Sequence, residues 1–366
     1  MKLVMYKHEK IKKNRNPDIR NNFLMQQSQR NYVPPPKQVP SIYGAVDLGT
    51  NNCRLLIAQP NGKGFRVITS FSRVVRLGEG LLKNGYLNKR AMDRTIRALR
   101  ICSNKLKTFN VINFRSIATE ACRQAQNCDE FFTKIKKETG IQMETVTSNE
   151  EARLALRGCQ SLLNSTQPYA VVFDIGGGST EIIWAKRGKK NFEIIDVLSL
   201  SYGVVTLAEG WMTSGIDNQT YEQMVQQIAT KLPTFCIKNS IKQHIKNKKV
   251  QMLGTSGTVT TLGAVHLNLN YYDRSLIDGL KLTFHDIERA SKRLTEQDFQ
   301  NRSEIPCIGN ERAELVIPGC AILEAICKRW LVGELSIADR GLREGMLLEL
   351  MVGDGIPVTG NPAKLT

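Results

Sequence analysis

The sequence has no CxxC pair and no His/Cys pattern at metal-ligand spacing, although it holds nine cysteines. These are odd in number and scattered (Cys53, Cys102, Cys122, Cys128, Cys159, Cys236, Cys307, Cys320 and Cys327). Such a set excludes a disulfide framework and a zinc site and fits a reducing cytosol. No apolar stretch approaches the roughly 18 residues that a membrane span needs. The first residues lack the apolar core of a secretory signal. The expectation is a cytoplasmic protein with no membrane partner. Aromatic residues make up 7% of the chain and form no base-stacking motif. Acidic residues are in deficit as well: 34 Asp and Glu stand against 51 Lys and Arg, a formal charge of +17.

The 366 residues are enough for two domains of ordinary size, and a hydrophobic content of 41% is normal for a chain that buries a core. The positive balance favours polyanionic partners by long-range attraction. Its distribution is uneven, since residues 1–40 hold nine Lys/Arg and two Asp/Glu. That segment is rich in Asn and Gln, closes with PPP at 34–36, and reads as a disordered basic extension on a stiff linker. The rest of the excess includes Lys186, Arg187, Lys189 and Lys190. Lys238, Lys242 and Lys246 share one face if their segment is helical. Taken alone, such a run reads as a solvated face.

An internal repeat organises the remainder. YGAVDLGTNNCRLLIA (43–58) aligns with AVVFDIGGGSTEIIWA (170–185) at a shift of 127 positions, Asp47 on Asp174 and Gly49 on Gly176. The register continues without a gap to Ser72 over Ser199. Each copy reads as strand, Gly-rich turn, strand, turn, strand, so two similar domains are expected, each opening with a three-stranded meander. Each first strand ends in Asp-aliphatic-Gly. Glycine allows φ > 0 and brings N–H groups close to a ligand, and successive N–H groups form an anion nest. An aspartate beside a phosphate nest makes sense if a cation sits between them, and Mg²⁺ takes one or two carboxylates plus phosphate oxygens. A tight hairpin with a partly buried, turn-capping Asp fits either copy equally well. A third loop, Gly254-Thr255-Ser256-Gly257-Thr258, joins an apolar segment to a helical pattern, and a helix N-terminus lined with hydroxyls is another anion site. Three such loops favour a phosphate ligand gripped from two domains.

Between the loops, VINFRSIATEACRQA (111–125) reads as a strand to Ile117 followed by a loop ATEACR. There Arg123 lies outside a strand's carboxyl end and can reach a phosphate with its planar fork. In SNEEARL (148–154) the residues alone favour a capping box, Ser148-x-x-Glu151, over a catalytic glutamate.

Together these segments, with VIPGCAILEAI and ADRGLREGMLLEL near the end, resemble the exopolyphosphatase/guanosine pentaphosphate phosphatase (Ppx/GppA) family. That family lies in the superfamily of sugar kinases, actin and heat-shock chaperones. The likeness covers about residues 41–352. It implies an α/β protein with two ribonuclease-H-like (actin/sugar-kinase-like) domains about an interdomain cleft, and Mg²⁺-dependent removal of a terminal phosphate by water. Glu151 resembles the family's catalytic base and Arg123 its substrate-orienting arginine. Asp174, Gly176, Gly177, Ser179 and Glu181 resemble its metal- and phosphate-binding loop. Asp47, Gly49, Thr50 and Asn51 match the first phosphate loop; Gly254, Ser256 and Gly257 match the second. Asp47, Asp174 and Glu181 are the expected metal residues.

The expected layout is a basic extension at 1–40, domain I at 41–155, domain II at 156–353 with its last helix returning to domain I, and a tail at 354–366. The expected activity is exopolyphosphatase, with guanosine pentaphosphate 5′-phosphatase as the alternative. A superfamily kinase is disfavoured by NEEARL and TEACRQA, and a non-catalytic polyanion binder by intact Glu151 and Arg123. Inorganic polyphosphate or guanosine pentaphosphate is therefore the expected partner. Nucleic acid is not expected, and relatives suggest a homodimer.

Overall fold

The structure is a computed structural model that describes residues 41–211 and 217–358. The expected basic extension and the end of the tail fall outside the described residues. The first lobe is built on β1 (Tyr43–Leu48), β2 (Asn52–Asn61), β3 (Gly64–Val74), β4 (Asn113–Ala118) and β5 (Glu144–Thr145), with α1 (Lys89–Thr108), α2 (Glu120–Gln124), α3 (Cys128–Thr139) and α4 (Ser148–Cys159). Its strand order is β3-β2-β1-β4-β5, β1 being antiparallel to β2 and parallel to β4. All six residues of central β1 are buried, which is why YGAVDL runs almost without a polar side chain until Asp47. Below the sheet, α1 turns a stripe including Ile96, Leu99, Cys102 and Leu106 towards Val46, Leu55 and Ile57, with Phe131 and Ile135 of α3 closing the layer. Asn88 starts α1 by accepting from the Ala91 amide at 2.8 Å.

The second lobe repeats this plan with β6 (Tyr169–Ile175), β7 (Thr180–Arg187), β8 (Phe192–Leu200), α5 (Val204–Trp211), α6 (Asn218–Ala229), α7 (Ile241–Lys246), β9 (Val250–Thr255), α8 (Gly257–His266), β10 (Lys281–Thr283), α9 (Phe284–Thr295), α10 (Val316–Arg329) and β11 (Glu334–Ala338). The order is β10-β11-β9-β6-β7-β8. The duplication extends to irregularities: the β2–β3 register shifts between Ile57 and Ala58, and the β7–β8 register between Trp184 and Ala185, the same pair of positions under the 127-residue shift. A bulge kept in both copies bends both ribbons alike.

Two helices tie the lobes together. α4 follows the first sheet, yet Ala152, Leu156 and Cys159 pack on Val172, Ile183 and Leu253 of the second. The last helix, α11 (Leu342–Gly353), follows the second sheet and buries Leu342, Met346 and Leu347 against Tyr43, Leu56 and Ile117 of the first. The two helices cross at glycines. A Cβ on Gly158 would sit 1.9 Å from the Gly341 carbonyl oxygen, and one on Gly345 would sit 2.0 Å from that of Leu154. The sequence-based boundary at 155/156 falls within this unbroken α4.

Two local expectations change. ATEACR is not a loop: Glu120–Gln124 forms one helical turn directly after β4, because Thr119 to Gln124 lacks Gly and Pro and closes its own bonds, Arg123 N to Thr119 O at 3.1 Å among them. Lys238, Lys242 and Lys246 do not share one helix. Pro233–Lys238 and α7 are separate, broken where Ser240 takes φ 51°. Among the described residues no helix is long and apolar enough to cross a membrane.

Candidate active site

The β1–β2 and β6–β7 turns are closed by equivalent hydrogen bonds, Gly49 N to Asn52 O and Gly176 N to Ser179 O, both at 2.9 Å. They face one another across the interlobe cleft. None of Gly49, Gly176, Gly177 or Gly178 has positive φ, so these turns do not use the left-handed freedom expected from the sequence. The glycines serve close approach. A Cβ on Gly177 would lie 3.1 Å from the Asn51 amide nitrogen. One on Gly178 would lie 2.4 Å from Thr50 Oγ1 and 3.0 Å from Glu120 Cγ. Only a backbone without side chains lets the two loops touch.

The cleft has a volume of about 380 Å³ and is lined by Asp47, Gly49, Thr50, Asn51, Glu151, Asp174, Gly176, Gly177, Ser179, Ser256 and Gly257 among others. Sequence reasoning had named all of these. Thr50 Oγ1 and Asn51 Oδ1 are buried there without a hydrogen-bond partner among the described residues. Ser256 starts α8 with its hydroxyl accepting from the Thr258 amide. Its φ of 112° is a strained backbone that a side-chain-bearing residue rarely adopts. Three named residues do not line the cleft. Gly254 lies within β9, where a Cβ would meet the Phe173 ring at 2.6 Å. Glu181 is 1% exposed, behind Asp174, its cross-strand partner. Arg123 sits behind Glu151.

Glu151 owes its place to a one-residue change of cap. Thr147, not Ser148, is the N-cap, accepting from the Glu150 amide at 3.2 Å. The capping box expected at Ser148-x-x-Glu151 is therefore absent, and Glu151 turns inward. Arg123 Nη1 donates to Glu151 Oε2 at 2.7 Å and to the Val146 carbonyl at 2.9 Å. Its Nε and Nη2 both donate to Glu120 Oε2, at 2.9 and 2.7 Å. The guanidinium is thus held on both edges, and a Glu181 oxygen stands 3.9 Å away.

The carboxylates outnumber their cations. Burial raises Glu151 well above the ordinary range, the Glu181 charge adds to this, and Arg123 opposes it. Burial pushes Glu181 up to about 7 and Asp174 up to about 6. Asp47 is raised by burial too, against the pull of Arg54 and Arg343. The floor is a set of hard oxygen donors short of positive charge. Among the described residues no three of His, Cys, Asp and Glu come close enough to hold an ion unaided.

Sequence reasoning missed several cleft residues: Glu120, Arg54, Tyr272, Arg312, Asp339, Arg340, Arg343 and Glu344 all line it. Glu120 had a signal, an acidic residue three before Arg123. Arg54 had another. It pairs with Asp47 across strands as Glu181 pairs with Asp174, so the repeat itself sets an arginine opposite a glutamate. Asp339 and Arg340 come from the turn before α11, and Arg343 and Glu344 from its first turn. Thr255 Oγ1 donating to the Arg340 carbonyl, and Gly341 N donating to Glu344, fix that turn at the cleft.

A profile of the Ppx/GppA phosphatase family matches residues 56–353. Solved structures agree. A Ppx/GppA family member from Aquifex aeolicus is 27% identical with a TM-score of 0.70, covering 86% of this chain and 98% of its own. The type II variant of the Aquifex aeolicus phosphatase is 28% identical with a TM-score of 0.66, covering 85% and 99%. An exopolyphosphatase from Cytophaga hutchinsonii has the same fold, with a TM-score of 0.76 at 24% identity over 86% of this chain and 99% of that one. With its paired lobes, facing turns and the profile match across both, the chain belongs to the Ppx/GppA phosphatase family, within the actin and sugar-kinase superfamily.

Proposed function

We propose that this phosphatase is an exopolyphosphatase that releases orthophosphate from the end of inorganic polyphosphate by Mg²⁺-dependent attack of water. The observation that carries the reading is the meeting of Asp47 and Asp174 in one cleft, with Glu151 on its wall gripped by Arg123 at 2.7 Å. The turn amides and the hydroxyls of Thr50, Ser179 and Ser256 hold phosphate oxygens. Glu151 accepts a hydrogen bond from the attacking water and orients it in line with the terminal phosphorus. Positioning of this kind supplies most of the catalysis in phosphoryl transfer. Arg123 keeps Glu151 aimed and, through its Glu120 contact, is itself kept from rotating.

The donor set fits Mg²⁺. Two buried carboxylates with raised proton affinity line the same cleft, and substrate oxygens and water would supply further oxygen donors. Asp47 and Asp174 would hold the ion, with Glu181 behind Asp174 as the third carboxylate. Bound there, Mg²⁺ would neutralise phosphate oxygens that the carboxylates otherwise repel. All nine cysteines are free and buried, which supports a reducing, cytoplasmic setting.

Guanosine pentaphosphate is the second reading. Tyr272 lines the cleft with the Arg312 guanidinium 5.9 Å from its ring centroid, an aromatic–cation surface on which a guanine can stack. Mg²⁺-dependent phosphate release from short polyphosphate, long polyphosphate and guanosine pentaphosphate separates the two. Preference for the nucleotide would promote the second reading, and release undiminished in Glu151→Gln would remove Glu151 from its role.

A further inference from the structure

The second sheet has two ends. Its carboxyl-terminal end carries the β6–β7 turn and the cleft. At the opposite end, Lys186 and Arg187 close β7, Lys189 and Lys190 form the next turn, and Lys248 and Lys249 lead into β9. The ladder brings them together: Tyr169 opens β6 opposite Lys186 on one side and Val250 on the other, its amide bonds the Lys249 carbonyl, and Arg187 N bonds the Pro168 carbonyl. At strand spacings near 4.8 Å, Lys249 and Lys186 are about 10 Å apart. Lys242 and Lys246 of α7 extend the surface, since His244 of the same helix packs on the Tyr169 ring with centroids 4.1 Å apart.

All eight of these cations are exposed, and none has an ion-pair partner among the described residues, whereas nearby Lys238 is paired with Asp196 at 2.8 Å. Glu193 is the one acid on these turns and strand ends. Mutual repulsion among unpaired cations costs stability, and a polyanion relieves it. The surface offers charge without a stacking platform, because Tyr169 and Trp184 stack on each other at 5.1 Å and Trp184 is 2% exposed. Single-stranded nucleic acid is held through such platforms; a bare phosphate chain needs none.

We propose that this basic end of the second lobe anchors the trailing length of a long polyphosphate chain while its terminus is hydrolysed in the cleft. The inference rests on the polyphosphate reading above. β6 spans from the patch to Asp174, about 17 Å by strand rise, so a short substrate confined to the cleft cannot touch both.

The test is the full chain carrying Lys186→Gln, Lys189→Gln, Lys190→Gln and Lys249→Gln together, with the Glu versions as a second variant. Anisotropy of labelled long-chain polyphosphate and of duplex RNA is read across a salt series, beside turnover of tripolyphosphate. The expected result is a long-chain Kd at least about tenfold weaker and a salt slope shallower by about three, since each lost contact releases fewer counterions, with tripolyphosphate turnover unchanged. An unaltered long-chain affinity and slope overturns the proposal. Loss of RNA binding with polyphosphate binding intact overturns it in favour of nucleic acid. A wild-type chain that binds long polyphosphate through the patch but hydrolyses no polyphosphate sinks the catalytic reading instead, and supports anchoring alone.

Discussion

Arg123 reaches Glu151 at 2.7 Å while its other edge is fixed on Glu120, so the cation that neutralises the candidate base also sets its direction. A group held on both sides does not need to reorganise during the reaction.

Glu151→Gln keeps the shape and a hydrogen-bonding amide but loses the accepting carboxylate. Phosphate release should fall by about 10²–10⁴-fold, the range for removal of a positioned base. KM should change little, because the turn amides are untouched. Steady-state phosphate release resolves the two parameters.

Glu120→Gln tests whether Arg123 is positioned through Glu120. The substitution weakens a charge-assisted pair, and kcat should drop by about tenfold with KM nearly constant. Arg123→Lys cannot fork to both glutamates and should lose more. Combined with Glu120→Gln, it should lose less than the sum, with a coupling of about 0.5–3 kcal/mol for residues in contact. Additive losses would show that the two act separately.

The crossing of α4 and α11 tolerates no side chain at Gly158. Gly158→Ala must push the Gly341 backbone away and should cost about 1–3 kcal/mol or more in urea unfolding. Gly353, at the end of α11, has nothing within 4 Å of a built Cβ. Gly353→Ala should be neutral or stabilising by up to about 1 kcal/mol. Equal effects at the two sites would contradict the close crossing.

With divalent cations chelated, Asp174 and Glu181 give a pH dependence of unusual sign. Their folded-state pKa values, about 6 and about 7, lie above the roughly 4 of an unfolded carboxylate. The folded protein therefore binds protons that the unfolded chain releases, and these groups lower stability as pH rises from about 4 to about 7. Asp174→Asn should raise the melting temperature of chelated protein at pH 8 and much less at pH 4. Added Mg²⁺ at pH 8 should raise the wild-type value more than that of the variant. Calorimetry in EDTA and in Mg²⁺ reads both differences.

Much of the site was legible because turns and strand periodicity are local. The Asp-aliphatic-Gly turns, their repeat and the Ser256 loop announce themselves in short windows, and the structure gathers most of the named residues into one cleft. The misreadings came where a single residue decides. A cap moved from Ser148 to Thr147 changes which glutamate turns inward, and the modest capping preference for Ser over Thr points to the wrong residue here. Lys238 left its expected helix face because Ser240 interrupts it.

The amino-acid sequence by itself determined the duplicated framework, since hydrophobic alternation and glycine turns act within a few residues. Tertiary structure alone decided that Gly177 and Gly178 serve contact between lobes and that α4 packs across onto the second sheet. It also decided that Arg343 and Glu344 come to the cleft. Those outcomes depend on burial and approach between segments up to hundreds of residues apart, and no local pattern encodes such distances.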